Sequence, residues 1–221
     1  MGKSVNELYK FRDSLMDKFK VSDLEWNQVV LADGVTLNVS NVLKVEGFYL
    51  PVTAQETFAI CRPRGFYPLT RAVLDQIQNK AIFVPYRHQA ELPDFEKYSV
   101  YLNEKKYNGV INCGAHKIWV LSNKRGKEGK KAVNYGFYQL RSKNPKDTKE
   151  RGAKLSQTYE AENGLWGAHG DFYWDYSQLL QVMYASAPLT IDGEKMSLAM
   201  ALVAGKPIVS DEGAFDSDDM P

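Results

Sequence analysis

Only three of the 221 residues are histidine, so the chain's acid–base chemistry is confined to a few positions. His169 lies in Gly167-Ala-His-Gly-Asp171, a glycine-flanked turn leading into Phe172-Tyr-Trp-Asp175-Tyr-Ser177, so imidazole, carboxylate and hydroxyl fall within nine residues. Imidazole takes and gives protons near neutral pH, and a carboxylate fixes its tautomer. His169 with Asp171 or Asp175 therefore suffices for general acid–base work. The same residues also suit a purely structural turn, in which Asp175 and Ser177 bond to backbone while the aromatic neighbours pack. His116 follows Asn112-Cys-Gly-Ala between two expected strands. Lys117 beside it must point to the opposite face of any strand running through both, so only one of them looks into a given cleft. His88 sits in a polar connection and reads as a surface residue.

Other chemistries find less to build on. Cys113 near His116 invites a thiol nucleophile, but a lone cysteine ending an apolar strand is more often a small buried hydrophobe. Two histidines and an aspartate could bind a metal, although no short H-x-x-x-H spacing is present and the letters name no particular cofactor. No phosphate loop, no G-x-G-x-x-G after a strand, no G-x-S-x-G and no H-E-x-x-H occurs, which sets aside nucleotide binding and the commonest hydrolase signatures. With two cysteines, Cys61 and Cys113, no disulfide framework is expected, and both are expected to stay reduced.

These residues need a framework to hold them, and the chain is long enough to build one. Hydrophobic residues make up 44% and charged residues 25%, near the globular average, with no apolar run approaching the roughly 20 residues of a membrane span. Met1-Gly-Lys-Ser4 opens a polar amphipathic stretch rather than a signal peptide, so a cytoplasmic protein is expected, with a place in a virion also compatible. Ser4-Val-Asn-Glu7 is a capping box ahead of Leu8, Phe11, Leu15 and Phe19, which predicts a helix over the first twenty residues. Ser22-Asp-Leu-Glu25 repeats the signal and predicts a short second helix carrying Leu24 and Trp26. Ala32-Asp-Gly34 then turns the chain into β-type residues through Val45.

Thr53-Ala-Gln-Glu56 predicts a helix ending before Pro63, and Thr70 begins another that buries Val73, Leu74 and Ile77. Strands are expected at 81–84, 109–112, 117–121 and 132–140, where β-branched and aromatic residues alternate with Gly, Asn and Lys turns. The stretch 175–184 fits a helix or a buried strand, and its flanks favour the strand. Ile191-Asp-Gly-Glu194 makes a hairpin turn, and 197–204 forms a short helix closed by Gly205. The expected architecture is α+β, with N-terminal helices on a mostly antiparallel sheet. Residues 1–46 are read as an N-terminal appendage, 47–213 as the core domain and 214–221 as an acidic tail.

Charge is distributed unevenly. The segment 124–154 holds eleven basic residues against three acidic ones, in a chain whose net charge is only +1. A patch of one sign attracts nucleic acid, an anionic wall polymer or an acidic partner surface, with Lys143, Lys146 and Lys149 as the expected contact residues. It also suits a pair of solvated basic loops, since no aromatic side chain interleaves with the charges between Arg141 and Lys154.

Gly114-Ala-His116-Lys117, Asn134-Tyr-Gly-Phe-Tyr138 and His169 followed by Asp175-Tyr-Ser-Gln178 resemble, in order and spacing, three motifs of a family of uncharacterised bacterial and phage proteins. Its members carry Gly-His-Lys-Lys, then Tyr-Gly-Trp-His, then a His followed by Asp-Tyr-Ser-His-Gly and an Arg. The resemblance runs from about Gly47 to Gly213, and it implies a shared fold. Tyr138, Gln178 and Gln181 stand where the family has His, His and Arg. The last motif is also similar to an L,D-transpeptidase site, but Leu180 stands near the place of the cysteine which that chemistry requires. Two functions of different class follow as expectations. One is a hydrolase of an amide or cell-wall bond, with His116 or His169 as general base, Asp175 orienting it, Ser177 beside it and Lys117 or a backbone amide steadying negative charge. The other is a non-enzymatic phage structural or host-interaction protein that keeps a reduced site and makes contact through residues 124–154.

Overall fold

Ser4 starts the first helix as its spacing predicts. Its hydroxyl accepts from Glu7 N at 3.4 Å, and the Glu7 carboxylate accepts from Ser4 N at 2.7 Å. A computed structural model gives this helix and the rest of the fold. It describes residues 2–77, 80–85, 87, 89–105, 111–123, 133–135, 172–217 and 220, apart from the side chains of Phe83, Asn112 and Cys113.

The helices are α1 (Val5–Lys18), α2 (Ala54–Cys61), α3 (Arg71–Ile77), α4 (Phe95–Asn103) and α5 (Leu198–Val203). The strands are β1 (Trp26–Val30), β2 (Thr36–Ser40), β3 (Lys44–Val45), β4 (Phe48–Tyr49), β5 (Tyr67–Pro68), β6 (Ile82–Phe83) and β7 (Asn112–Cys113), followed by β8 (Lys117–Val120), β9 (Val133–Tyr135), β10 (Gln178–Leu179), β11 (Val182–Tyr184), β12 (Leu189–Ile191) and β13 (Glu194–Met196). The fold is α+β. A four-stranded antiparallel sheet has the order β1-β2-β11-β5, and a three-stranded sheet has the order β10-β8-β9. Pairings are mostly antiparallel, with β10 on β8 and β6 on β7 parallel. Through β2 on β11, residues before Gly47 share a sheet with Val182–Tyr184. Among the described residues no helix is long and apolar enough to cross a membrane.

The second expected helix is a correction. Val21–Asp23 form a single 3-10 turn, and Trp26 already opens β1. Asp23 does bond back to Lys20 N at 2.7 Å, but a capping signal starts a turn without extending it. Beyond it, Trp26-Asn-Gln-Val-Val30 is strand-forming and pairs with β2 at five register positions. The stretch 175–184 is likewise two strands in two sheets. After β10 the chain steps at Gln181 into β11, and Leu180 O accepts from Leu43 N at 3.0 Å at the step.

Two cores result, and the three-stranded sheet lies between them. Ile118, Val120, Val133 and Tyr135 pack with α3, α5 and the β12–β13 hairpin, while Trp119 faces the core of α1, α2 and α4. The alternation along β8 assigns one strand to both. Trp119 is 1% exposed, and its indole Nε1 donates to Val52 O at 2.9 Å, so its polar edge is satisfied as its ring is buried.

Gly205 closes α5 with φ 63°, the left-handed conformation expected after the helix end. A Cβ at this position would collide with the backbone of Gly213 and Ala214. Gly205→Ala therefore lowers stability by at least about 2 kcal/mol, combining a left-handed alanine with a backbone clash. Urea unfolding of the two proteins reads this directly, and a variant within about 0.5 kcal/mol of the parent would show that the C-terminal segment does not pack here.

Candidate functional site

Asp175 is the focus of the polar groups that the sequence singles out. Its carboxylate is 3% exposed and accepts from Ser177 N at 2.8 Å, Ser177 Oγ at 2.7 Å, Tyr173 OH at 2.9 Å and Lys117 Nζ at 2.6 Å. The two bonds to Ser177 form an Asx turn, the local geometry that Asp adopts two residues ahead of a backbone N–H. Ser177 O in turn accepts from Lys117 N at 2.9 Å, which sets β10 in parallel register on β8. Burial works against ionisation of Asp175, yet the Lys117 charge and its hydrogen bond, with those from Ser177, outweigh it and hold the carboxyl below its usual range. Burial and the adjacent Asp175 charge push the Tyr173 hydroxyl upward, so it stays a donor.

His116 faces away from this cluster, as alternation with Lys117 requires. It is 4% exposed, and its Nε2 lies 2.8 Å from Gln181 Oε1. Gln181 Nε2 donates to Ser40 O at 3.1 Å, and Ser40 Oγ accepts from Val182 N at 3.0 Å. With the Gln181 amide oriented by Ser40 O, its oxygen faces the ring, so Nε2 of His116 carries the proton. Burial pushes the imidazole down to about 4, against the smaller upward pull of the Gln181 bond. His116 is thus a neutral donor that ties the three-stranded sheet to the four-stranded one.

The structure therefore joins Lys117, Asp175 and Ser177 in one cluster and gives His116 a different partner, Gln181. Asp175 does not orient His116, because its four hydrogen bonds come from Lys117, Tyr173 and Ser177. His169, His88, Tyr138, Lys143, Lys146 and Lys149 lie outside the described residues. Cys61 is free and 0% exposed, and burial raises its thiol to about 12, a value at which it is inert. Among the described residues no three His, Cys, Asp or Glu side chains gather to hold a metal ion.

Sequence reasoning missed Tyr173, Ser40 and Gln181 as members of these networks. Gln181 left one signal, a polar residue inside the run Leu179-Leu180-Gln181-Val182-Met183. Gln178 is harder to explain. It shares a sheet face with Lys117 by register and is 0% exposed, yet neither polar atom of its side chain has a hydrogen-bond partner, and Asn134 Nδ2 has none either. We have no physical account of these unpaired amides.

The His116 geometry sets a pH dependence. A folded-state value near 4 lies below the 6.5 of an unperturbed imidazole, so between these values the unfolded chain binds the proton that the folded chain refuses. Stability then falls as pH drops from about 6.5 toward about 4, by up to tenfold in the folding equilibrium constant per pH unit. Of the carboxyls held low, the buried Asp175 and the partly buried Glu56 lose their contributions only as pH falls through the ordinary carboxylate range, below this window. In His116→Asn the decline between about pH 6.5 and 4.5 should flatten in urea titrations, and an unchanged slope would mean that another group carries it.

Compared with protein-family models, with curated proteins and with solved structures, the chain matches none.

Proposed function

We propose that this chain is a non-enzymatic structural or host-interaction protein, of a phage or its bacterial host, that contacts an anionic polymer or an acidic protein surface through residues 124–154. One observation carries the reading: the buried Asp175 carboxylate accepts four hydrogen bonds, one of them its ion pair with Lys117, which is how a structural anchor is built. A general base needs a lone pair directed at a substrate and a pKa near the working pH. Asp175 has its acceptors engaged and its pKa held low. His116 has its proton on Gln181 and is sealed from solvent. The Lys117 charge is met by Asp175, so it adds little to the stabilisation of a developing anion.

What remains for function is the sequence's own charge asymmetry, eleven basic residues against three acidic ones in 124–154. Such a segment binds by neutralising charge and releasing counterions, which needs no catalytic geometry. The reading places the protein in the cytoplasm or in a virion assembled there. The competing hydrolase would rest on His169 as its base.

Binding to single-stranded nucleic acid, teichoic acid or an acidic virion protein should weaken at least about tenfold between roughly 50 and 200 mM salt. Lys-to-Glu changes at Lys143, Lys146 and Lys149 should abolish it while stability stays within about 0.5 kcal/mol. Turnover of a peptide or peptidoglycan substrate that His169→Ala removes and the Lys-to-Glu protein keeps would overturn the contact reading and restore the hydrolase.

A further inference from the structure

The four-stranded sheet ends in two unlike edges, β5 and β1. β5 is two residues long, and its Pro68 has no N–H to offer, so this edge is blunted. β1 is Trp-Asn-Gln-Val-Val, with no charge, proline or glycine to discourage pairing. Glu25 O accepts from Asn41 N and Leu31 N donates to Val35 O, so the odd positions from 25 to 31 turn their backbone toward β2. Trp26, Gln28 and Val30 therefore turn theirs outward. Val30 O accepts from Lys80 Nζ, but among the described residues nothing meets the N–H and C=O of Trp26 and Gln28 or the N–H of Val30. The side chains beside them are accessible: Gln28 is exposed, Val30 is 49% exposed and Trp26 is half-buried against Phe66 and Tyr184. Unpaired groups at this spacing are a template for one more extended strand.

The symmetry of the edge identifies that strand. The outward groups are spaced evenly about Gln28, so a two-fold axis through Gln28 sets each donor of one copy against an acceptor of another. Gln28 then pairs with itself and Trp26 with Val30, each pair exchanging both N–H···O bonds. The Val30 carbonyl keeps a second lone pair beside the one that Lys80 uses. By alternation Trp26, Gln28 and Val30 share one face, so the same axis lays Val30 of one copy on the open part of the Trp26 ring of the other. An aromatic ring opposite a β-branched side chain is among the pairs that stabilise a sheet. The flanking charges are complementary in the same register. Exposed Glu25 precedes Trp26, exposed Lys80 sits at Val30, and among the described residues neither meets an opposite charge. Antiparallel pairing brings the Glu25 carboxylate of one copy beside the Lys80 ammonium of the other, once at each end.

We propose that β1 is a dimerisation edge: two copies of this chain join antiparallel about a two-fold axis at Gln28, merging their four-stranded sheets into one continuous sheet. A contact between identical edges closes on itself and leaves only the blunted β5 edges free, so assembly stops at two copies. The pairing does not depend on the role given to residues 124–154.

Sedimentation velocity of the full chain, from about 1 to about 300 μM, tests it. A monomer–dimer equilibrium is expected, with a dissociation constant on the order of 10 to 100 μM, as suits a small interface. Gln28→Pro removes the N–H on the axis without touching a bond to β2, and Gln28→Lys sets two like charges there. Each should weaken the dimer at least about tenfold. Far-ultraviolet dichroism and urea midpoints at about 1 μM, where the parent is monomeric, should match the parent and show that both variants fold. Glu25→Lys and Lys80→Glu should each weaken the dimer about threefold, and the two changes together should restore it. Amide exchange at Trp26, Gln28 and Val30 should slow as concentration rises through the dissociation constant. The protein with Lys143, Lys146 and Lys149 changed to Glu should dimerise as the parent does, so this proposal and the contact reading fail independently. A dimer that survives both Gln28 changes, or one whose β1 amides exchange at the monomer's rate, would overturn the proposal. A parent that stays monomeric to about 300 μM would also overturn it, by leaving the edge to a strand of another protein.

Discussion

Withdrawing an ionised carboxylate from water costs several kcal/mol unless donors replace the lost hydration, and at Asp175 four donors do so. Much of the fold follows from meeting that requirement. Ser177 must turn back on Asp175, which fixes where β10 begins. Lys117 must reach the same carboxylate, which places the start of β8 beside it. The backbone bond from Lys117 N to Ser177 O then completes the parallel register. Residues 58 positions apart are thereby held in one arrangement. Tyr173, bonded to the same oxygen as Lys117, adjoins Trp174, whose ring meets Tyr9 of α1 edge to face.

A second polar link acts on the other side of the same strand. Gln181 lies where the chain leaves the three-stranded sheet for the four-stranded one, and a backbone changing sheets exposes groups that neither ladder satisfies. Gln181 Nε2 donating to Ser40 O and Val182 N donating to Ser40 Oγ supply those bonds, and His116 holds the Gln181 amide from its other side. Alternation along one strand therefore sends His116 into a staple between sheets and Lys117 into the carboxylate cluster. The two neighbours, expected from alternation to face opposite sides, do separate structural jobs.

Local chemistry was readable in the sequence, and long-range pairing was not. The boxes at Ser4 with Glu7 and at Thr53 with Glu56, the Asp192-Gly193 turn with both φ angles positive, and the left-handed Gly205 all act within a few residues, so their letters suffice. The Asx turn at Asp175 was legible as one of two readings for the same reason. Helix α4 escaped notice although Asp94 accepts from Lys97 N at 3.2 Å and Phe95, Tyr98 and Leu102 share its buried face. Its tyrosines and Val100 favour strand as much as helix, so packing had to decide. His116 with Gln181 spans 65 positions, and nothing in the letters of either residue names the other.

The central claim is that the described acid–base residues hold the fold together. A double-mutant cycle on Lys117→Met and Asp175→Asn, followed by urea unfolding at neutral pH, addresses it most directly. In this ion pair Asp175 is buried and Lys117 half-buried, with side chains 5% and 16% exposed. The account predicts that each single change lowers stability by about 3 kcal/mol and that the coupling between them is about 2 kcal/mol or more. Single variants as stable as the parent, with coupling below about 0.5 kcal/mol, would contradict it and return Lys117 and Asp175 to the list of groups held for chemistry.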